Sequence, residues 1–358
     1  MTEKHEILNR EDIKNLFRTD IGHFDDKSIR FLFKHIEHLR GLIQFLSSEL
    51  TEHLDFSHAK RGRRSYIDTT LRDSISDIVF TVPFRDASNG DVVTIYILIE
   101  HQSTVDRMMG LRLHSYMCQI WKDQLEEQRK AIVPVSQQRL SPILPIVFYT
   151  GDRRWEIPVT LNAVMDVPEL LTRYVPTFET LFLALKHTDT EALLEQNYPF
   201  GWLMSVTQQV STDEKPIDDT LMETLTRLDT LSPEESLLHA HALIYLSHLV
   251  VSKRPQAERE HLIEHILIHN RDTEVENIIM TGAEALVQQG KAEGLEQGRI
   301  DEKRTSVLKV VRHKFADFSD VVLNEISGIN DLVYLDDLFD QVLAAESFDD
   351  IDFSKNGK

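Results

Sequence analysis

Two short apolar runs joined by a turn signal constrain this chain more than any other feature. Ser76-Asp77-Ile78-Val79-Phe80 and Ile95-Tyr96-Ile97-Leu98-Ile99-Glu100-His101-Gln102 have the length and the Ile, Val and aromatic content of strands. Between them stands Asn89-Gly90, the strongest short-range hairpin signal. The spacing predicts neighbouring antiparallel strands over 75–84 and 92–101, with Asp77 and Glu100 side by side. Side chains alternate faces along a strand, so Glu100 and Gln102 share one face and His101 takes the other. Two acids and an amide converging at a sheet edge suit a hard cation, because carboxylate oxygens bind Mg²⁺ or Mn²⁺.

Other periodicities fill in the fold. Ile29, Leu32, Phe33, Ile36, Leu39, Leu42, Ile43 and Leu46 recur at three- and four-residue steps, predicting helix from Asp26 to Leu54. A long helix over 108–128 carries Met108, Met109, Met117 and Trp121 on a stripe read as core. A third buried strand is expected at 143–149, between Pro142 and Gly151. After Pro158 the pattern turns helical, with helices over 218–229, 234–253 and 258–289 and a linker at 211–216. Gln289-Gly290-Lys291 to Gly294 and Gly298 places glycine every fourth residue in a polar setting. At about 1 kcal/mol for each glycine, this is a marginal connector helix. Val307, Leu308, Val311 and Phe315, with Val321 to Leu343, make a small helical module before an acidic tail. The order helix, strand, strand, helix, strand gives an α/β class, a mixed sheet flanked by helices, followed by an all-helical C-terminal region.

The motifs Leu71-Arg72-Asp73-Ser74-Ile75-Ser76-Asp77, Ile97-Leu98-Ile99-Glu100-His101-Gln102-Ser103, Arg112-Leu113-His114-Ser115-Tyr116-Met117 and Leu144-Pro145-Ile146-Val147-Phe148-Tyr149-Thr150-Gly151, with Trp155, follow one another in order. Taken together they resemble the recombination-promoting nuclease family, also described as transposase-like, within the PD-(D/E)XK nuclease superfamily. The resemblance covers about residues 22–160. It implies a metal-dependent endodeoxyribonuclease that hydrolyses phosphodiester bonds in DNA in connection with recombination or mobile elements. It further implies catalytic roles for Asp77, Glu100 and Gln102, and a Mg²⁺ or Mn²⁺ ion held by Asp77, Glu100 and the backbone carbonyl of His101. Where the superfamily usually has Lys, this chain has the neutral Gln102, so either Arg72, Arg107 or Arg112 supplies positive charge at the site or the enzyme is slow. Two other readings stay open: a non-catalytic DNA-associated or protein-interaction factor that keeps the fold, and a structure-specific ribonuclease.

The net charge of −20 at first opposes binding to phosphates. Residues 51–160, however, hold 14 basic and 14 acidic residues, so the excess lies outside the expected core. Lys60-Arg61-Gly62-Arg63-Arg64 and Arg153-Arg154 flank the acids. Arg61, Arg63, Arg64, Arg72, Arg112 and Tyr149 are the candidate DNA contacts, against a solvated basic loop for the arginines and a core role for Tyr149. Asp26 is read as a helix cap before a metal ligand. His261, His265 and His269 share a helix face, but His261-Leu262-Ile263-Glu264-His265 departs from His-Glu-x-x-His, and a solvated face is expected there.

One cysteine, Cys118, a charged N-terminus and no apolar stretch of roughly 18 residues give the expectation of a cytoplasmic chain with no membrane partner. The division expected is a nuclease domain over 1–190, a helical region over 191–300 and a C-terminal module over 301–358. The helical C-terminal region is expected to serve oligomerisation into a homo-oligomer, target choice or restraint.

Overall fold

A computed structural model describes residues 13, 16–17, 24–62, 77–85, 93–210, 217–315, 326–346 and 350–351. Two compact units divide the chain, Met1–Ala283 and Glu284–Lys358.

Among the described residues, the first unit is built on a sheet of five strands in the order β1 (Lys60–Arg61), β2 (Asp77–Phe84), β3 (Val93–Gln102), β4 (Ile143–Tyr149), β5 (Leu181–Ala184). β1, β2 and β3 run antiparallel, whereas β3, β4 and β5 run parallel. The β3-to-β4 step needs a crossover, and α4 (Met109–Lys130) provides it. The Asn89-Gly90 turn that would join β2 to β3 lies outside the described residues.

β4 carries Pro145 although it is paired on both sides, a placement that normally costs a ladder bond. The register resolves this. Tyr96 N–H donates to Pro142 O and Thr150 N–H to Gln102 O, so the even-numbered residues of β4 serve β3. Pro145 therefore lacks its N–H on the β5 side, where pairing begins only at Ile146.

One sheet face packs against α4 through Met109, Leu113, Tyr116, Met117 and Ile120 over Val79 and Val147. Met108, placed in that buried stripe by the sequence, is instead exposed at the helix N-cap. The opposite face is covered by α1 (Phe24–Leu32), α2 (Ile36–Leu46) and α6 (Pro199–Gln209), with Phe33 and Phe148 both against Phe200. The predicted single helix over 26–54 is broken, because Ser47 turns extended and caps α3 (Ser48–His53). α5 (Thr190–Leu194), α7 (Asp218–Leu228), α8 (Ser236–Lys253) and α9 (Gln256–Ile268) complete the layer.

The structure corrects two further expectations. β5 lies in a stretch read as helical, since a four-residue apolar run carries no period. The break expected at 190 falls inside the first unit, because α6 packs on the sheet through Phe200 and Phe148 and α8 packs in turn on α1 and α6.

α10 (Thr273–Lys314) runs from the first unit into the second. Among the described residues, a Cβ added at Gly294 or Gly298 would meet nothing within 4 Å, so these glycines line no close seam there. In the second unit, Val307, Val311 and Phe315 pack with Leu335, Leu338 and Val342 of α11 (Leu332–Ala344). No helix among the described residues is long and apolar enough to cross a membrane.

Candidate active site

The site forms where β2 begins and β3 ends. Backbone pairing sets Asp77 directly across from Glu100. The side chain of Asp77 lies outside the described residues, as does that of Asp26.

Glu100 is 0% exposed, an extreme position for a carboxylate. Such a group persists only with hydrogen-bonded partners of opposite charge or strong dipole. Gln102 Nε2, two residues along the same strand, donates to Glu100 Oε1 at 2.7 Å. Arg112 Nη2, from the first turn of α4, donates to the same oxygen at 2.5 Å. The other arm of the guanidinium, Nη1, donates to Asp106 Oδ2 at 2.8 Å. Asp106 also accepts from Met108 N–H at 2.8 Å, which fastens the start of α4 to the site. Burial works against the charge on Arg112, but Glu100 and the hydrogen bond it donates to Asp106 outweigh it and raise its pKa above the usual value. The guanidinium stays cationic at any working pH.

His101 points the other way. Its Nε2 lies 2.9 Å from Thr150 Oγ1, and its ring meets Phe148 at 5.9 Å between centroids. The even-numbered residues of β3 bond to β4, so the His101 carbonyl is directed to the β2 side, one position past the Asp77–Glu100 pair. Beyond Gln102 the chain passes close to the end of β4. A side chain at Gly151 would run into the Ser103 carbonyl, which is why glycine stands there.

Of the predicted DNA contacts, Arg61 is exposed on β1. Arg63, Arg64 and Arg72 lie outside the described residues. Arg112 is paired with Glu100 and Asp106 at the site. Tyr149 is corrected from a phosphate contact. Its side chain is 1% exposed and its hydroxyl donates to Arg153 O at 2.7 Å, so it closes the 149–153 loop and offers phosphate no surface. Asp106 was missed by sequence reasoning, although an Asp just ahead of a long helix commonly bonds the backbone two residues on, as it does here with Met108 N–H.

A mixed sheet flanked by helices, with Asp77 opposite Glu100-x-Gln102, is the α/β arrangement that the resemblance to PD-(D/E)XK nucleases leads one to expect. The chain belongs to the family described as "Putative transposase, YhgA-like", whose model matches residues 23–236. Among curated relatives, it is 28% identical over 138 residues to recombination-promoting nuclease RpnD of Escherichia coli O157:H7, covering 38% of this chain and 48% of that protein. It is 30% identical over 97 residues to recombination-promoting nuclease RpnA of Escherichia coli K12, covering 27% of this chain and 29% of that one. It also matches "Putative inactive recombination-promoting nuclease-like protein YjiP" of the same strain, 32% identical over 101 residues, 28% of this chain and 92% of that protein. The matches thus span less than half of RpnD and of RpnA. No solved structure matches the chain.

Proposed function

We propose that this protein is a metal-dependent DNA endonuclease that hydrolyses phosphodiester bonds. The observation that carries the reading is the register of Asp77 with Glu100, together with the convergence of Gln102 and Arg112 on Glu100 Oε1. The donor set consists of oxygen atoms, the Asp77 and Glu100 carboxylates and the His101 carbonyl, which suits Mg²⁺ or Mn²⁺. Bound there, such a cation would supply Lewis acidity and an activated water.

The remaining work falls to the chain itself. Gln102 spends its amide nitrogen on Glu100, and its amide oxygen can accept from a water and orient it. Arg112 holds a fixed positive charge beside the carboxylate, the role a Lys fills when it stands at the position of Gln102. Preorganised charge of this kind costs no rearrangement as the phosphate gains charge. The relatives named recombination-promoting nucleases support DNA as the substrate. The basic segment beginning Lys60-Arg61 is proposed as its phosphate contact.

A second reading has one specific observation in its favour. The Glu100 side chain is fully buried and tied to Arg112, the arrangement of a structural ion pair, and one relative bears the name inactive. On this reading the protein is a non-catalytic DNA-associated or protein-interaction factor. A plasmid-nicking assay with Mg²⁺, Mn²⁺ and chelator separates the two. Cleavage that needs the metal and disappears in folded Asp77→Ala and Glu100→Ala proteins supports the nuclease. Cleavage persisting in either variant removes the site assignment, and a wild-type protein that binds DNA without cutting it under any metal supports the second reading.

A further inference from the structure

α9 presents His261 and His265 four residues apart, so the two rings occupy one stripe of the helix. Their centroids lie 4.1 Å apart at 59°. The sequence alone gives this pair no third ligand. The fold brings one, as Asp218, the first residue of α7, sets Oδ1 3.1 Å from His261 Nε2. One ligand atom from each of the three residues falls within 4.8 Å of the other two.

Donors around a tetrahedral zinc at about 2.0–2.1 Å stand roughly 3.3 Å from one another. Closing the triad needs movements on the order of 1 Å, within rotamer reach of side chains that are 57% exposed at His261 and 41% at Asp218. Two imidazole nitrogens and one carboxylate oxygen favour Zn²⁺, Co²⁺ or Ni²⁺ over Mg²⁺ or Ca²⁺. Three protein ligands with water completing the shell is an ordinary zinc arrangement. The Nδ1 of His265 is buried and has no hydrogen-bond partner among the described residues, so no other contact holds the ring through that atom.

A comparison within the same pair of helices sharpens the case. Asp229, at the other end of α7, meets His269 at 2.6 Å, but Arg271 lies on the same carboxylate at 3.2 Å. A cation already balances that acid. Among the described residues, the contact recorded for the Asp218 carboxylate is His261, with no Lys or Arg.

We propose that Asp218, His261 and His265 bind a transition-metal dication of the zinc class, at a site separate from the acids on β2 and β3, and that the ion fastens the start of α7 to α9. The proposal stands apart from the nuclease reading, because its test reads binding and stability instead of cleavage.

Full-length protein stripped with chelator and dialysed is titrated with Co²⁺, followed by visible ligand-field absorption, and with Zn²⁺, followed by calorimetry. The expected result is one ion per chain that the Asp218 and histidine variants below lose, beyond any ion taken up by the acids on β2 and β3, together with a rise in Tm of about 5 °C at a hundredfold excess of Zn²⁺ over its Kd. Asp218→Asn and the pair His261→Ala with His265→Ala should each weaken binding at least tenfold, while His269→Ala should bind as wild type. Millimolar Mg²⁺ should leave the Co²⁺ spectrum unchanged. Absence of Co²⁺ bands in the wild type overturns the site, as does equal binding by the double variant or displacement of Co²⁺ by Mg²⁺.

Discussion

Glu100 and Arg112 are both partners in a buried ion pair and parts of the candidate centre, and their substitutions separate these roles. Removing the cation takes the Arg112 counter-charge from a fully buried carboxylate, and breaking such a pair typically costs about 3–5 kcal/mol. Glu100→Gln is gentler, because the amide keeps a hydrogen-bonding group in the same volume and Arg112 retains Asp106. Urea denaturation should therefore find Arg112→Ala less stable than Glu100→Gln by about 2 kcal/mol or more, although both lose activity. Equal stability would mean that Arg112 turns outward and does not neutralise Glu100. Gln102→Lys tests the neighbouring position. An ammonium there adds a second cation beside Glu100 Oε1, and turnover measured in single-turnover nicking should be retained or raised. Complete loss in a folded protein would assign the amide itself a specific role.

Among the elements, the contact of α1 and α2 with α8 carries an unusual number of buried histidines. His241 Nε2 donates to Phe31 O at 3.0 Å, and its ring stacks on Phe31 at 4.2 Å. His248 Nε2 lies 3.1 Å from Ser28 Oγ. Burial lowers the pKa of His241 and His248 to about 3 and of His35 to about 4, and it holds His38 well below the usual value. Such histidines are neutral when folded but protonate near pH 6.5 when unfolded. Below that pH the unfolded state binds more protons, so stability falls as pH drops from about 6.5 toward the folded pKa values near 3–4. One such histidine is worth about 1.4 kcal/mol per pH unit, or about 2 kcal/mol between pH 6.5 and 5. Urea midpoints should drop steeply from pH 7.5 to 5, and His241→Phe, which keeps the stack on Phe31, should flatten the slope. Parallel slopes for the two proteins would show that His241 takes up protons while folded. The same elements show what could be read in advance. β4 appears at its expected residues, since seven apolar positions between Pro142 and Gly151 leave a strand little room to shift. β2 and β3 were legible through the turn signal, and with them the pairing of Asp77 with Glu100. β5 was not, because four residues show no period, and it is recruited only once β4 offers an edge. The carboxylate beside His261 was equally hidden, since Asp218 lies 43 residues away and only the packing of α7 on α9 joins them.

Across the whole molecule, the placement of charge and the placement of the unit boundary lead to one experiment. A cut at 190 would strip α6 from the sheet and α8 from α1, uncovering Phe33 and Phe148 where Phe200 packs, so that fragment should not fold cooperatively. A cut after Ala283 keeps the first unit whole. It also removes residues 284–358, which hold 16 acidic and 9 basic residues. If DNA lies along the neutral stretch 51–160, losing that net charge of −7 lessens repulsion with phosphate. The 1–283 protein should bind a DNA duplex more tightly than the full chain in fluorescence anisotropy, most visibly at low salt, where screening is weakest. Affinity in both proteins should fall as salt rises, with a slope set by the few phosphates that are neutralised. Replacing Arg61, Arg63 and Arg64 together with Gln should make that slope shallower by about three contacts' worth. If folded 1–283 protein binds more weakly than the full chain, the C-terminal unit itself contacts DNA. If the triple variant keeps the wild-type slope, the basic segment is a solvated surface and the phosphate contacts lie elsewhere on the first unit.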